Sequence, residues 1–540
     1  MRKYIPILLF SLMSWACTDH FDSINTNKAG IVKDAEIGMK DPAIDYLSLA
    51  QRAIYSDDTG PFPIAAWVLQ VQSNLNVDIW SGYLATGTNF LGGRNNQSYS
   101  LVENWNGYMF EYWGRTMGQV QDMLASYKAL ASPSKTDNTV KAMGLITRVL
   151  ASGRTVDMYG TLPYSAFGGT NPEYDTMESV YEQMFADLDE AVVLLNNGES
   201  LPETDAGKDL FYKGDYAKWH KLANTLRLRL ALRIVKASPD MARVEAEKAI
   251  SDKGGLITEN TQNTGFTSSL LNGLCVLAQV WGDTRMSADM ESILTGYDDP
   301  RLSCFFSKLG DNYKGIRVGS VFTTNSGPNY SSLGTAFPAN ATYETAPIYL
   351  VTAAEAYFLL AEAALRGYAG AGDAADNYNT GIRRSLEQWK ITDSRLIDDY
   401  LQSEATFAAW KSDNEQIAAS VKAMSQVTPK YSETASKEEK LEKIITQKWI
   451  AMFPAGSTEA WSEYRRTGYP NLIPPYRTYA TPRITVNYGP GKVNNAKKAR
   501  IPENEYNTNF LNVQKAVVEF FNGNDAIDTP VWWDVDLPNF

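Results

Sequence analysis

Histidine is nearly absent from this chain of 540 residues, which contains only His20 and His220. A Ser-His-Asp or Cys-His catalytic arrangement would have to use one of these two side chains. A zinc site with several histidine ligands is excluded, and the three cysteines do not replace them. The glycine patterns of phosphate-binding and dinucleotide-binding loops are absent too. The sequence therefore excludes much of the chemistry that depends on histidine, zinc or a bound nucleotide.

The chain contains fewer basic than acidic residues. Lys and Arg number 50 against 62 Asp and Glu, which gives a formal net charge of -12. A nucleic acid carries the same sign of charge along its backbone and is therefore not an expected partner, whereas a neutral or cationic ligand is accommodated more easily. With 44% hydrophobic and 12% aromatic residues, the chain has the composition of a folded protein with a large core.

Long apolar runs are missing, and the apolar stretch at the N-terminus is too short to cross a membrane. Met1-Arg2-Lys3 is basic, and residues 4–15 are mostly apolar. This order is typical of an export signal, whereas a membrane-spanning helix needs about 20 apolar residues. We therefore predict that residues 1–16 are a signal peptide.

Cys17 occupies a specific position at the end of the apolar stretch. It follows the small residue Ala16, an arrangement that resembles the cleavage site of bacterial lipoproteins. Ser14 departs from that pattern, because leucine usually stands three residues before the cysteine. After cleavage at this site Cys17 would be the first residue and would carry lipid, which anchors a protein to a membrane.

The remaining chain is predicted to contain a tether and one domain. Residues 17–40 are polar after the cysteine and indicate a lipidated tether, and residues 41–540 are predicted to form a single globular domain. Cys275 and Cys304 can pair outside the cytoplasm or stay as buried thiols. Their separation along the chain does not decide between these two states, because pairing depends on geometry.

Several stretches place apolar residues at three- and four-residue steps, the period of an amphipathic helix. The helices so predicted are Tyr108–Leu130, Val140–Ala151, Val180–Leu195, Tyr216–Ile234, Thr352–Arg366 and Asp373–Leu386. The last two are joined by a glycine-containing turn, and small residues alternate with large ones along both. They resemble a tetratricopeptide repeat, and Val180–Leu195 with Tyr216–Ile234 is a second candidate pair. Ordinary helical hairpins are the alternative for both pairs.

Long loops separate these helices. Asp78–Trp105, Thr258–Arg285 and Ser307–Pro347 are rich in Gly, Asn, Ser, Thr and aromatic residues, and loops of this length are often functional. Aromatic rings stack on the C–H faces of sugars, while Asn, Asp and Arg bond their hydroxyls. The candidate glycan-binding residues are Asp78, Trp80, Tyr83, Arg94, Asn95, Asn96, Trp281, Asp283, Tyr313 and Tyr330. Core packing is the alternative for the aromatic rings, and turn formation is the alternative for the asparagines.

Other conspicuous side chains are interpreted as structural. Trp219, Trp449 and Trp461 lie on helical stripes, which indicates positions in the core. His220 follows Trp219 and is expected to bond within the helix bundle. Trp532-Trp533-Asp534 near the C-terminus is expected to hold the tail against the body of the protein.

A further charged group is also interpreted as structural. Arg465 and Arg466 follow Glu459 and Glu463 closely along the chain. Arginine suits buried ion pairs because its guanidinium is planar and always charged. We therefore expect a structural ion-pair cluster here rather than a clamp for a ligand.

Six segments in a fixed order resemble those of a known family. They are Cys17–Asn27, Gly153–Tyr164, Lys218–Arg229, Gln447–Phe453, Glu459–Pro470 and Arg500–Asn509. With them the chain resembles the SusD-like (SusD/RagB) family of outer-membrane nutrient-binding lipoproteins, and most closely its starch-binding and outer-membrane-associating branch. The resemblance covers essentially all of the chain after the predicted signal peptide.

The resemblance implies a fold, a cellular location and a partner. The fold is mainly α, with four tetratricopeptide-type helix pairs and a loop-rich, irregular half with few short strands. The partner is a TonB-dependent outer-membrane transporter of the SusC type, over which the lipoprotein sits as a lid. Asp19 and Asp22, just after the lipidated cysteine, would suit export to the cell surface. No cofactor is expected. A calcium ion bound by loop carboxylates stays open but is not predicted, because no Asp-x-Asp-x-Asp run is present.

The expected function is capture of an oligosaccharide or polysaccharide fragment without catalysis. Alternatives are a peptide-binding uptake lipoprotein of the same architecture, a glycoside hydrolase and a purely structural surface protein. The aromatic and Asn-rich loops favour a sugar, whereas the acidic balance would tolerate basic peptides. A hydrolase needs two carboxyl groups roughly 5–10 Å apart, and 62 acidic residues always offer a candidate pair.

Overall fold

Helices form most of the regular structure, in agreement with the periodicity of the sequence. The structure is a computed structural model that describes residues 42–55, 66–479 and 496–540. Its longer helices are α1 (Pro42–Ile54), α2 (Tyr108–Lys128), α3 (Lys135–Tyr159), α4 (Met177–Asn196), α5 (Tyr216–Arg233), α6 (Pro239–Ser251), α7 (Ala288–Gly296), α8 (Ala353–Leu365), α9 (Ala374–Gln388), α10 (Ser394–Leu401), α11 (Lys437–Ala451), α12 (Ser457–Thr467) and α13 (Phe510–Phe521).

Short helical segments lie in the loops between them. Single α-helical turns cover Ala66–Leu69, Val77–Trp80, Glu103–Asn106, Glu203–Ala206, Gly273–Cys275, Leu302–Phe305 and Glu503–Thr508. Two of these turns have wider π-helical segments nearby, at Gln70–Asn74 and Val276–Trp281. Tighter 3-10 turns cover Phe90–Gly93, Asn96–Ser98, Asn260–Gln262 and Gly327–Asn329.

The predicted helices are present, and their ends are set by caps that apolar periodicity does not reveal. The sequence placed the start of α3 at Val140, but a capping box starts it earlier. Ser134 Oγ accepts from the backbone N–H of Asp137 at 3.1 Å, and Ser134 N donates to Asp137 Oδ2 at 2.7 Å. The helix ends at Gly160, whose φ of 79° suits glycine.

The two predicted helix pairs pack as pairs. α8 lies against α9, and α4 lies against α5. Gly381 in α9 shows why small residues alternate with large ones, because a Cβ there would lie 2.9 Å from the ring of Phe358 in α8. Consecutive helices α2 to α6 also contact one another, and α11 packs on α8. The prediction of a mainly α fold is confirmed.

Strands are few and short among the described residues. They are β1 (Leu84–Ala85), β2 (Thr161–Leu162), β3 (Asp175–Thr176), β4 (Thr264–Phe266), β5 (Arg285–Met286) and β6 (Ile348–Val351). They form antiparallel two-stranded sheets that pair β1 with β5, β2 with β3 and β4 with β6. Two of these pairs join segments that are far apart in sequence, and they therefore hold long loops together.

Buried charged side chains meet where α3, α5, α8, α11 and α12 converge. We call this group the central charge cluster; its members are Asp157, Arg229, Arg233, Glu355, Glu362, Lys448, Glu459, Glu463 and Arg466. Arg233 lies 3.2 Å from Asp157 Oδ2 and 2.8 Å from Glu463 Oε1, and it also pairs with Glu459. Lys448 Nζ lies 2.9 Å from Glu459 Oε1. The cluster confirms the structural ion-pair role expected for Glu459 and Glu463.

The two neighbouring arginines of α12 have different partners. Arg466 Nη1 donates to Glu362 Oε1 at 2.7 Å, as the ion-pair interpretation predicts. Arg465 makes no ion pair with any carboxylate of the described residues. Its Nη1 donates to the backbone carbonyls of Asp157 and Lys497, and its guanidinium lies 3.4 Å from the ring centre of Trp461. Burial lowers the pKa of Arg465 to about 9.

The tryptophans interpreted as core residues are buried. Trp219, Trp449 and Trp461 are no more than 1% exposed.

His220 Nε2 lies 2.7 Å from Asp252 Oδ1, which confirms the expected contact within the bundle. Near the C-terminus, Trp533 Nε1 donates to Asp157 Oδ1 at 2.9 Å and anchors the tail to the cluster.

The two cysteines among the described residues do not form a disulfide bond. Cys275 and Cys304 are both free thiols, and Cys275 is buried. Cys17, the predicted signal peptide and the tether lie outside the described residues. Within the described ranges, no helix combines the length and the apolar character needed to cross a membrane.

We predict that Glu463→Gln destabilises the protein by about 3–5 kcal/mol, because the change leaves buried cations of the cluster without full compensation. Denaturant unfolding at neutral pH measures the loss. Asp399→Ala is the matched control, since Asp399 forms a 3.9 Å pair with Arg395 at the exposed surface. Such a pair contributes about 1 kcal/mol or less. Equal effects of the two substitutions would contradict a supporting role for the cluster.

The first turn of α7 contains a buried carboxyl group whose pKa is unusually high. Asp289 is 3% exposed, and its Oδ1 accepts from the backbone N–H of Ile473 at 2.6 Å. Burial disfavours the charged form and raises the pKa of Asp289 to about 7, although the Ile473 hydrogen bond opposes the shift. A raised carboxyl pKa stabilises the folded state only while the group is protonated.

We predict that the stability of the wild-type protein, relative to Asp289→Asn, falls as pH rises from about 4 to about 7. The unfolded carboxyl ionises near the lower pH, whereas the folded one stays protonated until the higher pH. The expected relative loss is about 2 kcal/mol or more, measured by urea unfolding across this range. A flat difference for Asp289→Asn would contradict the shifted pKa.

Candidate ligand-binding face

Antiparallel pairing of β1 with β5 brings two of the predicted ligand loops together. Leu84 lies opposite Met286, and Ala85 lies opposite Arg285. In an antiparallel pair, the residues that follow one strand lie beside those that precede the other. The loop after β1, with Arg94, therefore meets the loop before β5, with Trp281 and Asp283.

Asp283 fastens these two loops to each other. Its Oδ1 accepts from Thr88 Oγ1 at 2.7 Å, and its Oδ2 accepts from Gln70 Nε2 at 3.0 Å. Both carboxylate oxygens are thus engaged by neighbouring side chains. The structure gives Asp283 a positioning role at the site predicted for ligand binding.

A third loop joins the same assembly. Ser326 N donates to the carbonyl of Gly87 at 2.9 Å, and Arg285 Nε donates to the carbonyl of Gly327 at 2.8 Å. A Cβ at Gly87 would lie 2.6 Å from the backbone nitrogen of Gly327, so this close approach requires glycine. Arg285 is buried, and burial lowers its pKa. It holds the loops from inside.

Five exposed side chains lie on these loops or on the chain bonded to them, and together we call them the loop face: Leu91, Arg94, Val280, Trp281 and Tyr479. Trp281 is 38% exposed and Leu91 is 60% exposed. The Arg94 guanidinium lies 5.3 Å from the ring centre of Tyr479, whose backbone N–H donates to Ser98 O. The sequence predicted only Arg94 and Trp281 of this set. Leu91 was missed, although its neighbours Gly92 and Gly93 signal a turn that presents a side chain to solvent.

Trp80 and Tyr83 correct the sequence prediction. They are 1% and 0% exposed, so neither ring is available to stack on a sugar. Trp80 packs on Trp461 with ring centres 5.1 Å apart. Tyr83 packs on Trp449 with ring centres 5.0 Å apart, and its hydroxyl donates to the Trp449 carbonyl at 2.5 Å. Both rings belong to the core, the alternative considered for them.

Asn95, Asn96 and Asp78 are likewise buried in the described structure. Asn95 Oδ1 accepts from Gln97 N at 2.9 Å and caps a 3-10 turn. Asn96 Nδ2 donates to Asn106 Oδ1 at 3.0 Å. Burial raises the pKa of Asp78, while its hydrogen bond from Asn74 lowers it. These side chains shape the loop from inside instead of facing a ligand.

Tyr313 and Tyr330 are partly buried beside the third loop. The backbone of Ser331 connects this region to β5, because Met286 N donates to Ser331 O at 2.9 Å. Tyr330 packs on Phe322 with ring centres 5.9 Å apart. Burial raises the pKa of both tyrosine hydroxyls. The two rings border the assembly and keep part of their surface accessible.

The structure also contains a groove of about 810 Å³. Its walls come from residues 103–114, 163–172 and 502–507. The sequence did not predict it, because its three walls come from distant parts of the chain. Among the described residues, no group of three or more His, Cys, Asp or Glu side chains is placed to hold a metal ion.

Comparisons with known proteins agree with this architecture. The model of the family described as SusD-like, "Susd and RagB outer membrane lipoprotein", matches residues 23–534. A chitin-binding SusD homologue from Flavobacterium johnsoniae has 37% sequence identity and a TM-score of 0.83, over 92% of this chain and 100% of its own. No curated protein matches the chain.

Two further solved structures are similar. A SusD homologue from Bacteroides vulgatus has 29% identity and a TM-score of 0.81, over 94% of this chain and 100% of its own. One from Bacteroides uniformis has 32% identity and a TM-score of 0.79, over 92% and 99%. The family match over nearly the whole chain and the shared fold lead to one conclusion: the chain belongs to the SusD-like family of outer-membrane lipoproteins.

Proposed function

We propose that this protein captures an oligosaccharide at the loop face, outside the cell, and delivers it to a SusC-like TonB-dependent transporter by acting as a lid. The observation that carries this proposal is the exposed Trp281 on a set of loops fixed by Asp283 and Arg285. Membership of a lipoprotein family of the outer membrane supports the location. The transporter partner follows from the family resemblance.

The loop face has the chemistry that a sugar requires. The Trp281 ring offers an apolar surface for the C–H face of a pyranose. Arg94, beside Tyr479, offers several N–H donors to hydroxyl or acetamido oxygens. Because hydrogen bonds already hold the loops in place, binding requires little ordering of the protein, and this favours affinity.

A chitin fragment is the glycan that we propose first. The similar protein from Flavobacterium johnsoniae is described as chitin-binding, and it shares 37% of its residues with this chain. Chitin is neutral, and its acetamido groups supply both an apolar methyl group and a carbonyl acceptor. The apolar side chains of Leu91 and Val280 on the loop face suit the methyl groups.

A catalytic role is not part of the proposal. Glycoside hydrolysis needs a proton donor and a second carboxylate with a free oxygen directed at the sugar. Asp283, the carboxylate predicted for this region, has both oxygens engaged by Thr88 and Gln70. We therefore propose binding and release without chemistry. A peptide-binding lipoprotein of the same architecture is the alternative to be tested.

We predict that the mature protein in detergent binds chitin oligosaccharides saturably, and that Trp281→Ala weakens binding about tenfold or more. Calorimetric titration measures the affinity. Trp67→Ala is the matched control, because Trp67 is 43% exposed but packs on Tyr108 with ring centres 5.4 Å apart. The control should bind like the wild type.

Other outcomes of this titration separate the alternatives. Binding of starch oligosaccharides alone would keep the site but replace the proposed glycan. Binding of peptides alone would favour the peptide-uptake function. Shortened products, detected by mass spectrometry, would contradict the non-catalytic proposal. An unchanged affinity of Trp281→Ala would remove the loop face as the site.

We predict that Cys17→Ser abolishes lipid attachment and releases the protein from the outer membrane, because the lipid on Cys17 is the proposed anchor. Metabolic labelling with a fatty-acid probe and membrane fractionation measure both effects. Cys275→Ser is the control and should stay lipidated and membrane-bound.

Co-purification of the wild type with a SusC-like transporter tests the proposed partner. If no such transporter co-purifies with the protein from native membranes, the lid function is contradicted.

A further inference from the structure

A small cavity of about 30 Å³ lies at the edge of the central charge cluster. Its charged and polar lining comes from α3, α5 and the start of α12: Arg154, Asp157, Arg229, Arg233, Thr458 and Glu459. A cavity of this size holds one or two waters or a single monoatomic ion. It is too small for a sulfate or a phosphate group.

Most charges around the cavity already have partners. Arg229 donates to both oxygens of Glu355 at 2.6 Å. The Asp157 carboxylate accepts from Tyr181 at 2.6 Å and from Trp533 at 2.9 Å. Glu459 is paired with Arg233 and Lys448. These groups therefore have no unmet requirement that a ligand in the cavity would satisfy.

Arg154 differs from its neighbours. Its Nη1 donates to the carbonyl of Ile54 at 3.0 Å, but its Nη2 is shielded from solvent and has no hydrogen-bond partner. Within the described ranges, no carboxylate lies close enough to form an ion pair with it. Burial lowers the pKa of Arg154 to about 10, while Tyr55 and the Asp78 carboxylate, which is beyond ion-pair distance, oppose the shift.

Thr458 supplies a second group without a partner. Its side chain is 3% exposed, and its Oγ1 has no hydrogen-bond partner. Leaving a buried hydroxyl unsatisfied costs about 1–3 kcal/mol. Thr458 and Arg154 both line this cavity, from helices far apart in sequence, and each carries a buried donor without a partner.

The start of α12 adds a third contribution. The residue before the helix is Gly456, which has no side chain to cap the free N–H groups of the first turn. Gly456, Thr458 and Glu459 line the cavity. The positive end of a helix dipole favours an anion at this position.

We propose that this cavity is a binding site for a small monovalent anion of the chloride class, held by Arg154 Nη2, Thr458 Oγ1 and the N-terminus of α12. The ion compensates the one arginine of the cavity lining that lacks a carboxylate partner. It also links α3 to α12, which carry two of the family-type segments. This site is distinct from the loop face and does not depend on the proposed ligand.

The test measures the thermal unfolding of the mature protein in detergent. The protein is unfolded and refolded in sodium gluconate, and chloride or bromide then replaces gluconate at constant ionic strength. We expect the unfolding midpoint to rise by about one to two degrees and to saturate with halide concentration. Arg154→Met and Thr458→Val should reduce or abolish this halide response, whatever their own stability. Arg148→Met, which removes a cation paired with Asp187, should retain it.

Crystals grown in sodium bromide provide the second measurement. Anomalous scattering at the bromine edge should show one peak between Arg154 and Thr458. A water in place of the peak, together with a midpoint that does not respond to halide, would overturn the proposal. A halide response that survives both substitutions would overturn it as well, because the ion would then bind elsewhere.

Discussion

Burial of charge is the constraint on which the rest of the structure depends. Removing an ion from water costs several kcal/mol unless opposite charges and hydrogen bonds surround it. Arg233 meets that requirement only where Asp157 of α3 and Glu463 of α12 both reach it. Glu459 and Glu463 lie one turn apart on α12, so a shift of the helix by one turn would leave only one of them beside these cations. The central charge cluster therefore fixes the register of α12 against α5 and α11, which apolar packing alone specifies less strictly.

The helices that carry the cluster also hold the loops. Trp449 of α11 donates to the Ser81 carbonyl at 2.7 Å, and its own carbonyl accepts from Tyr83. Trp461 of α12 packs on Trp80. These contacts fix the chain just before β1, whose pairing with β5 positions the loop face. The loop face thus depends, through two tryptophans, on charges buried deep in the helical part.

The sequence predicted the helices well because their apolar periodicity is a local signal. It could not decide which loop aromatics face solvent. Trp80 and Trp281 are the same residue type, and each is followed within two residues by glycine, yet one is 1% and the other 38% exposed. The difference comes from Trp461, which covers Trp80 and is distant in sequence. Arg94 and Trp281 were predicted from composition alone, whereas Leu91, Val280 and Tyr479 require knowledge of how the loops meet.

An exposed face would suit the capture and release of a ligand proposed for this protein. A ring such as Trp281 offers one side to a sugar and leaves the opposite side of the ligand uncovered. Affinity depends on the quality of a few contacts more than on buried area, so a one-sided site binds less tightly than an enclosed pocket of similar chemistry. A second protein can then contact the uncovered side and compete for the ligand. The exposure of Trp281 is in this way compatible with the proposed hand-over to a transporter.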